Sequence, residues 1–184
     1  MSLVVAVVGV IGTLTSAIFT QLLSQRAKVR ELEHTERQQR AERAAAEAQS
    51  KTDQLRRCYV QLNANDRNYR DALLAYAYAL KAGSPGEAEA VDVATARRAQ
   101  RDARAEAQMM VSEEVLEAEG RVASDLTRAY RRLKQIESES DRGLREAQLE
   151  EIINLLDHVI PMLSRARVLM RMDLGVIDTP PAWY

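Results

Sequence analysis

The side chains best suited to nucleophilic, acid–base or metal chemistry are few: the chain has two histidines and one cysteine. His34 lies among Glu, Arg and Gln, and His158 follows Asp157. An Asp–His neighbour pair does no hydrolytic chemistry without a nucleophile for the imidazole to activate. A carboxylate-bridged metal pair on helices uses Glu-x-x-His spacing. Leu155 stands three residues before His158, so Glu150, Glu151 and Asp157 do not supply that spacing. Glu113, Glu114, Glu117 and Glu119 crowd one stretch and read as a solvated acidic face. Neither a GxxxxGK loop nor a GxGxxG turn is present, so no nucleotide cofactor is expected. Cys58 sits beside an apolar seam and reads as a small buried hydrophobe. A single thiol also excludes an internal disulfide and a zinc cluster built on several thiolates. The expectation is no enzyme, no cofactor and no metal.

Nucleic acid is not an expected partner either. Arg97, Arg98, Arg101 and Arg104 mark one charged face, and Arg128, Arg131, Arg132 and Lys134 line part of another. Glu137, Glu139 and Asp141 follow the second at once, and the net charge is -1.

The elements that would carry these residues are helices. In 184 residues there are 28 Ala and 22 Arg but only 7 Gly and 4 Pro, too few breakers for a sheet protein. Aromatics make up 4% and charged residues 29%, which also disfavours a β-sandwich. The fold class expected is all-α, with residues 1–24 as an anchor, 25–52 as a charged helical stalk, 53–175 as an antiparallel bundle and 176–184 as a tail.

The anchor rests on residues 3–23, LVVAVVGVIGTLTSAIFTQLL, which hold no charge in 21 positions. At about 1.5 Å per residue this run covers roughly 31 Å, the thickness of a bilayer's hydrocarbon core. Twelve of the residues are Leu, Ile, Val or Phe. They favour insertion by about 4–7 kcal/mol before the polar residues subtract. Only Met1 and Ser2 precede the run, so it lacks the basic leader of a signal peptide. Arg26, Lys28 and Arg30 follow it with no counterpart before it. The positive-inside rule then places the N-terminus outside and the bundle in the cytoplasm, with the basic residues among anionic lipid headgroups. Gly12, Ser16 and Thr20 recur every four residues and predict a packing face for a second span, and so a homo-oligomer.

Past the anchor, Ala, Arg, Glu and Gln favour helix without an apolar stripe, and Glu33–Arg37 and Glu36–Arg40 are favourable i,i+4 pairs. A heptad seam begins at Leu55 and runs through Tyr59, Leu62, Asp66, Tyr69, Leu73, Tyr76 and Leu80. Asp66 is its one charged entry, and pairing with an arginine of another helix or local opening of the seam is expected. Gly83 suits a left-handed helix end. A second helix follows from Glu87, with a break or kink near Ser112, where a Ser precedes two acids as an N-cap does. Val115, Ala118, Val122, Leu126, Ala129, Leu133 and Ile136 make its seam. The third long helix carries Leu149, Ile152, Leu156, Val159, Leu163, Ala166 and Met170, contains Pro161 as an expected kink, and closes at Gly175.

The anchor leading into SQRAKVRELE, the segments RRCYVQLNANDRNYRDALLAYAYAL and RDARAEAQMMVSEEVLEA, and the closing RMDLGV resemble an uncharacterised family of small membrane-anchored helical proteins from high-GC Gram-positive bacteria. The resemblance implies no activity, cofactor or site residue. The function expected is a tethered interaction module that recruits a protein partner at the cytoplasmic membrane. The alternative is a spanin-like envelope or phage-lysis component with the bundle outside, which needs the opposite topology.

Overall fold

The computed structural model describes the backbone of residues 2–84, 86–136 and 142–181, and the side chains of residues 28, 34–84, 86–136 and 143–181. Four helices account for most of it: α1 (Ser2–Lys81), α2 (Glu87–Ala107), α3 (Glu113–Ile136) and α4 (Arg142–Asp173). No strand occurs among the described residues. The chain divides into two compact units, 1–51 and 52–184.

In the first unit the backbone is continuous helix, and every described side chain from His34 to Lys51 is exposed. Glu36 and Arg40 pair at 3.0 Å along the helix. The expected span 3–23, its face at Gly12, Ser16 and Thr20, and the side chains of Arg26 and Arg30 lie outside the described residues. Lys28 is exposed. Among the described residues no helix is long and apolar enough to cross a membrane.

The second unit is held together by the three seams. Every residue from Tyr59 to Leu80 in the first, from Val115 to Ile136 in the second and from Leu149 to Met170 in the third is buried. Contacts along α1 fix the helix directions. Ala103 and Ala107 of α2 share a cluster with Leu62 and Cys58, while Val93 packs with the seam at Tyr69–Leu80. Residue numbers therefore rise on α2 as they fall on α1. Val115 joins Leu62 and Tyr59, and Val122 to Ile136 join Tyr69 to Leu80, so α3 runs with α1. Arg70 pairs with Asp157 at 2.8 Å and Met170 packs in the Tyr59–Leu62 cluster, so α4 runs against it.

These directions correct the expected three-helix bundle. The break near Ser112 is a reversal rather than a kink, and the bundle has four helices. Met109 and Met110 N–H bond back three residues to Glu106 and Ala107, which tightens the end of α2, and the Ser112 carbonyl accepts the first bond of α3. A kinked helix would leave one of its two stripes without a partner; a reversal brings both against α1. Helix α4 continues through Pro161, which lies on the solvent side.

Glycines set the α1–α2 corner and the end of α4. Gly83, at φ 79, ends α1 with Ser84 N–H bonded to Ala79 O and Gly83 N–H to Leu80 O. Gly86, at φ 66, precedes α2, and a Cβ there would meet Tyr76 Cε2 at 2.7 Å. Gly175 repeats the Gly83 pattern at the end of α4, with Val176 N–H on Arg171 O.

Candidate functional site

Two apolar clusters make up the bundle interior. One is centred on Cys58, Tyr59, Leu62, Val115 and Met170, and the other extends from Tyr69 and Val122 to Ile136 and Leu149. A polar layer lies between them in sequence register on three helices: Asp66 of α1, Gln100 of α2 and Glu119 of α3, exposed by 0%, 5% and 2%. Gln100 Nε2 donates to Asp66 Oδ1 at 2.9 Å. No N–H or hydroxyl donor of a described residue reaches the other Asp66 oxygen or either Glu119 oxygen. Two carboxyl groups in one dry site cannot both carry charge, so a proton resides between them. Burial first, then the hydrogen bond to Asp66 and its charge, hold the Glu119 carboxyl far above the usual carboxylate range, against a smaller opposing pull from Arg104.

The partner expected for Asp66 was an arginine; an amide and a protonated acid stand there instead. Glu119, expected on a solvated acidic face, is buried. The acids around it hid its place in the stripe: Val115, Ala118, Glu119, Val122 and Leu126 recur at helical spacing, which was the available signal. Gln100 had none, because α2 carries short Ala positions rather than a strong seam.

Directly on α2 and α3 beside this layer lie two adjoining recesses of about 450 and 410 Å³ that share Arg104, Ala123 and Thr127. Arg97, Arg101 and Arg104 come from α2, and Arg128, Arg131 and Arg132 from α3. The sequence shows these as separate rows; the reversal at 108–112 brings them to one groove. Arg97 stacks over the Tyr130 ring at 4.3 Å, Arg128 pairs with Asp125 at 3.0 Å, and Arg132 pairs with Glu151 at 3.2 Å. Among the described residues, Arg101 and Arg131 have no ion-pair partner. Tyr69, 1% exposed, lines the inner wall, and its hydroxyl has no hydrogen-bond partner. Burial raises that phenol to about 12.

The remaining candidates are structural or exposed. Cys58 is buried and free, its thiol pushed up by burial and then by Glu106. His34 and His158 are exposed, and no group of three His, Cys, Asp or Glu side chains converges on a metal position among the described residues. Tyr59 donates its hydroxyl proton to Asp173, tying the foot of the bundle's α1 segment to the end of α4. No family model, curated protein or solved structure matches the chain.

Proposed function

We propose that this chain is a membrane-tethered helical binding module, with residues 3–23 as its anchor and the bundle as its binding part on the cytoplasmic side. It recruits or positions a protein partner at the membrane and performs no reaction of its own. The observation that carries the binding role is the α2–α3 groove: Arg132 is tied to Glu151 and Arg97 to the Tyr130 ring, while Arg101 and Arg131 enter no ion pair among the described residues and are left to face a partner. The tether is supported by the uncharged run followed by Arg26, Lys28 and Arg30, and by the resemblance to membrane-anchored helical proteins.

A topology experiment tests the tether. Ser50 is exposed and Cys58 is buried, so Ser50→Cys offers a reporter that folding does not mask. A membrane-impermeant maleimide is expected to label it only after the cells are permeabilised, and the chain is expected to stay with carbonate-washed membranes. Labelling in intact cells would transfer the bundle to the outside and favour an envelope component. Release by carbonate would remove the anchor.

A further inference from the structure

We propose that the α2–α3 groove binds a ligand carrying several phosphate groups, held by Arg101, Arg104 and Arg131. The inference goes beyond the tethered-module reading and does not depend on the anchor. Arginine presents a planar fork of donors that matches phosphate oxygens two at a time. Three such forks border the groove, and the acids Asp125 and Glu151 are engaged by Arg128 and Arg132 rather than by these three. Glu119 lies below Arg104 but is kept protonated by its burial, so it does not cancel that charge. Ser124 and Thr127 add hydroxyl donors, and the Tyr69 hydroxyl is a buried donor without a partner in the inner wall.

The form of the groove separates phosphate from the other anions. Its floor is Gly120, Ala123 and Thr127, and a Cβ added at Gly120 would meet nothing within 4 Å. An acidic peptide would need an apolar pocket for an anchor side chain, and these small residues do not make one. Single-stranded nucleic acid would need exposed rings to stack on, and the one ring lining the groove is the buried Tyr69. A compact cluster of phosphates needs only charge and donors. Such phosphates could come from a soluble polyphosphate or from lipid headgroups.

The test is isothermal titration of the full chain in non-ionic detergent with inorganic tripolyphosphate. Binding is expected at one site per chain and is expected to weaken as salt is raised. Arg101→Glu and Arg131→Glu, both exposed positions, should each weaken it roughly tenfold or more, while Arg43→Glu on the first part of α1 should leave it unchanged. Circular dichroism and melting temperature establish that the variants remain folded. Arg101→Lys, which keeps the charge and loses the fork, should lie between wild type and Arg101→Glu. Repeating the titration in micelles doped with phosphatidylglycerol distinguishes the sources: competition identifies headgroups, and its absence identifies soluble phosphate. No binding of either probe, equal loss in Arg43→Glu, or tighter binding of a single-stranded oligonucleotide than of tripolyphosphate would overturn the proposal.

Discussion

Replacing Glu119 by Gln should make the bundle more stable at neutral pH and remove most of its pH dependence there. The folded chain keeps a proton on Glu119 that the unfolded chain, with a carboxyl near 4.5, releases. Because the folded-state value is the higher one, this group's contribution is full below about pH 4.5 and is lost as pH climbs toward the folded value. With one more proton bound in the folded state, stability falls by about 1.4 kcal/mol per pH unit. Between about pH 6 and about pH 8 the loss is at most about 2.7 kcal/mol, a large fraction of the roughly 5–15 kcal/mol that holds a domain folded. Glutamine has nearly the same shape, stays neutral at every pH, and its amide can donate to Asp66 as the acid does. Urea unfolding followed by far-UV circular dichroism at three pH values gives the slope directly, provided the m-value stays constant. Asp66→Asn is the informative companion. Burial is the largest cause of the shift on Glu119 and the Asp66 interactions come after it, so Asp66→Asn should keep most of the pH slope that Glu119→Gln abolishes. Parallel pH curves for wild type and Glu119→Gln would refute the buried, protonated acid.

Other substitutions probe the packing and the corners. Leu126→Ala and Leu156→Ala, at positions with 0% exposure, should each cost about 2–5 kcal/mol in chemical denaturation. Arg40→Ala, whose side chain is 77% exposed, should cost less than about 0.5 kcal/mol. The glycines should respond with opposite signs: Gly86→Ala meets Tyr76 from a left-handed backbone and should lower stability by about 1–3 kcal/mol. Gly120→Ala, in mid-helix with open space above it, should raise stability by about 0.5–1 kcal/mol. Tyr59→Phe removes the hydroxyl that donates to Asp173 and should lower the melting temperature by an amount equivalent to about 1 kcal/mol.

Helical periodicity made most of the bundle interior legible. A stripe recurring every three and four residues can be buried only by a neighbouring helix, and Leu62, Leu73, Val122, Leu126, Leu156 and Leu163 are all in the core. Gly83 and Gly175 were readable for the same kind of reason, because a backbone at positive φ leaves few residue choices. The direction of a helix after a break is different information. Residues 108–112 show that α2 stops and α3 starts, but only the partner faces decide between a bend and a reversal. The groove was hidden behind that decision: Arg101 and Arg131 are thirty positions apart, and their rows look like ordinary solvated faces until α2 and α3 lie side by side.

The polar layer was half visible, and what stayed hidden follows from how buried charge is managed. Asp66 announced itself by standing in a heptad seam, and a buried carboxylate demands a partner. Arginine is the obvious candidate in a chain with 22 of them, yet an arginine there would have to bring its whole guanidinium out of water between two apolar clusters. Pairing with Gln100 and a protonated Glu119 meets the same demand without bringing a guanidinium out of water. That solution has its own consequence for the fold. An apolar seam can slide by a heptad and still bury its stripe, but Asp66, Gln100 and Glu119 meet only when α1, α2 and α3 are in a single register. Any slip would bury three polar groups separately, each costing about 1–3 kcal/mol. The layer thus fixes the alignment of α2 against α3, and with it the juxtaposition of Arg101, Arg104 and Arg131 on which the groove depends.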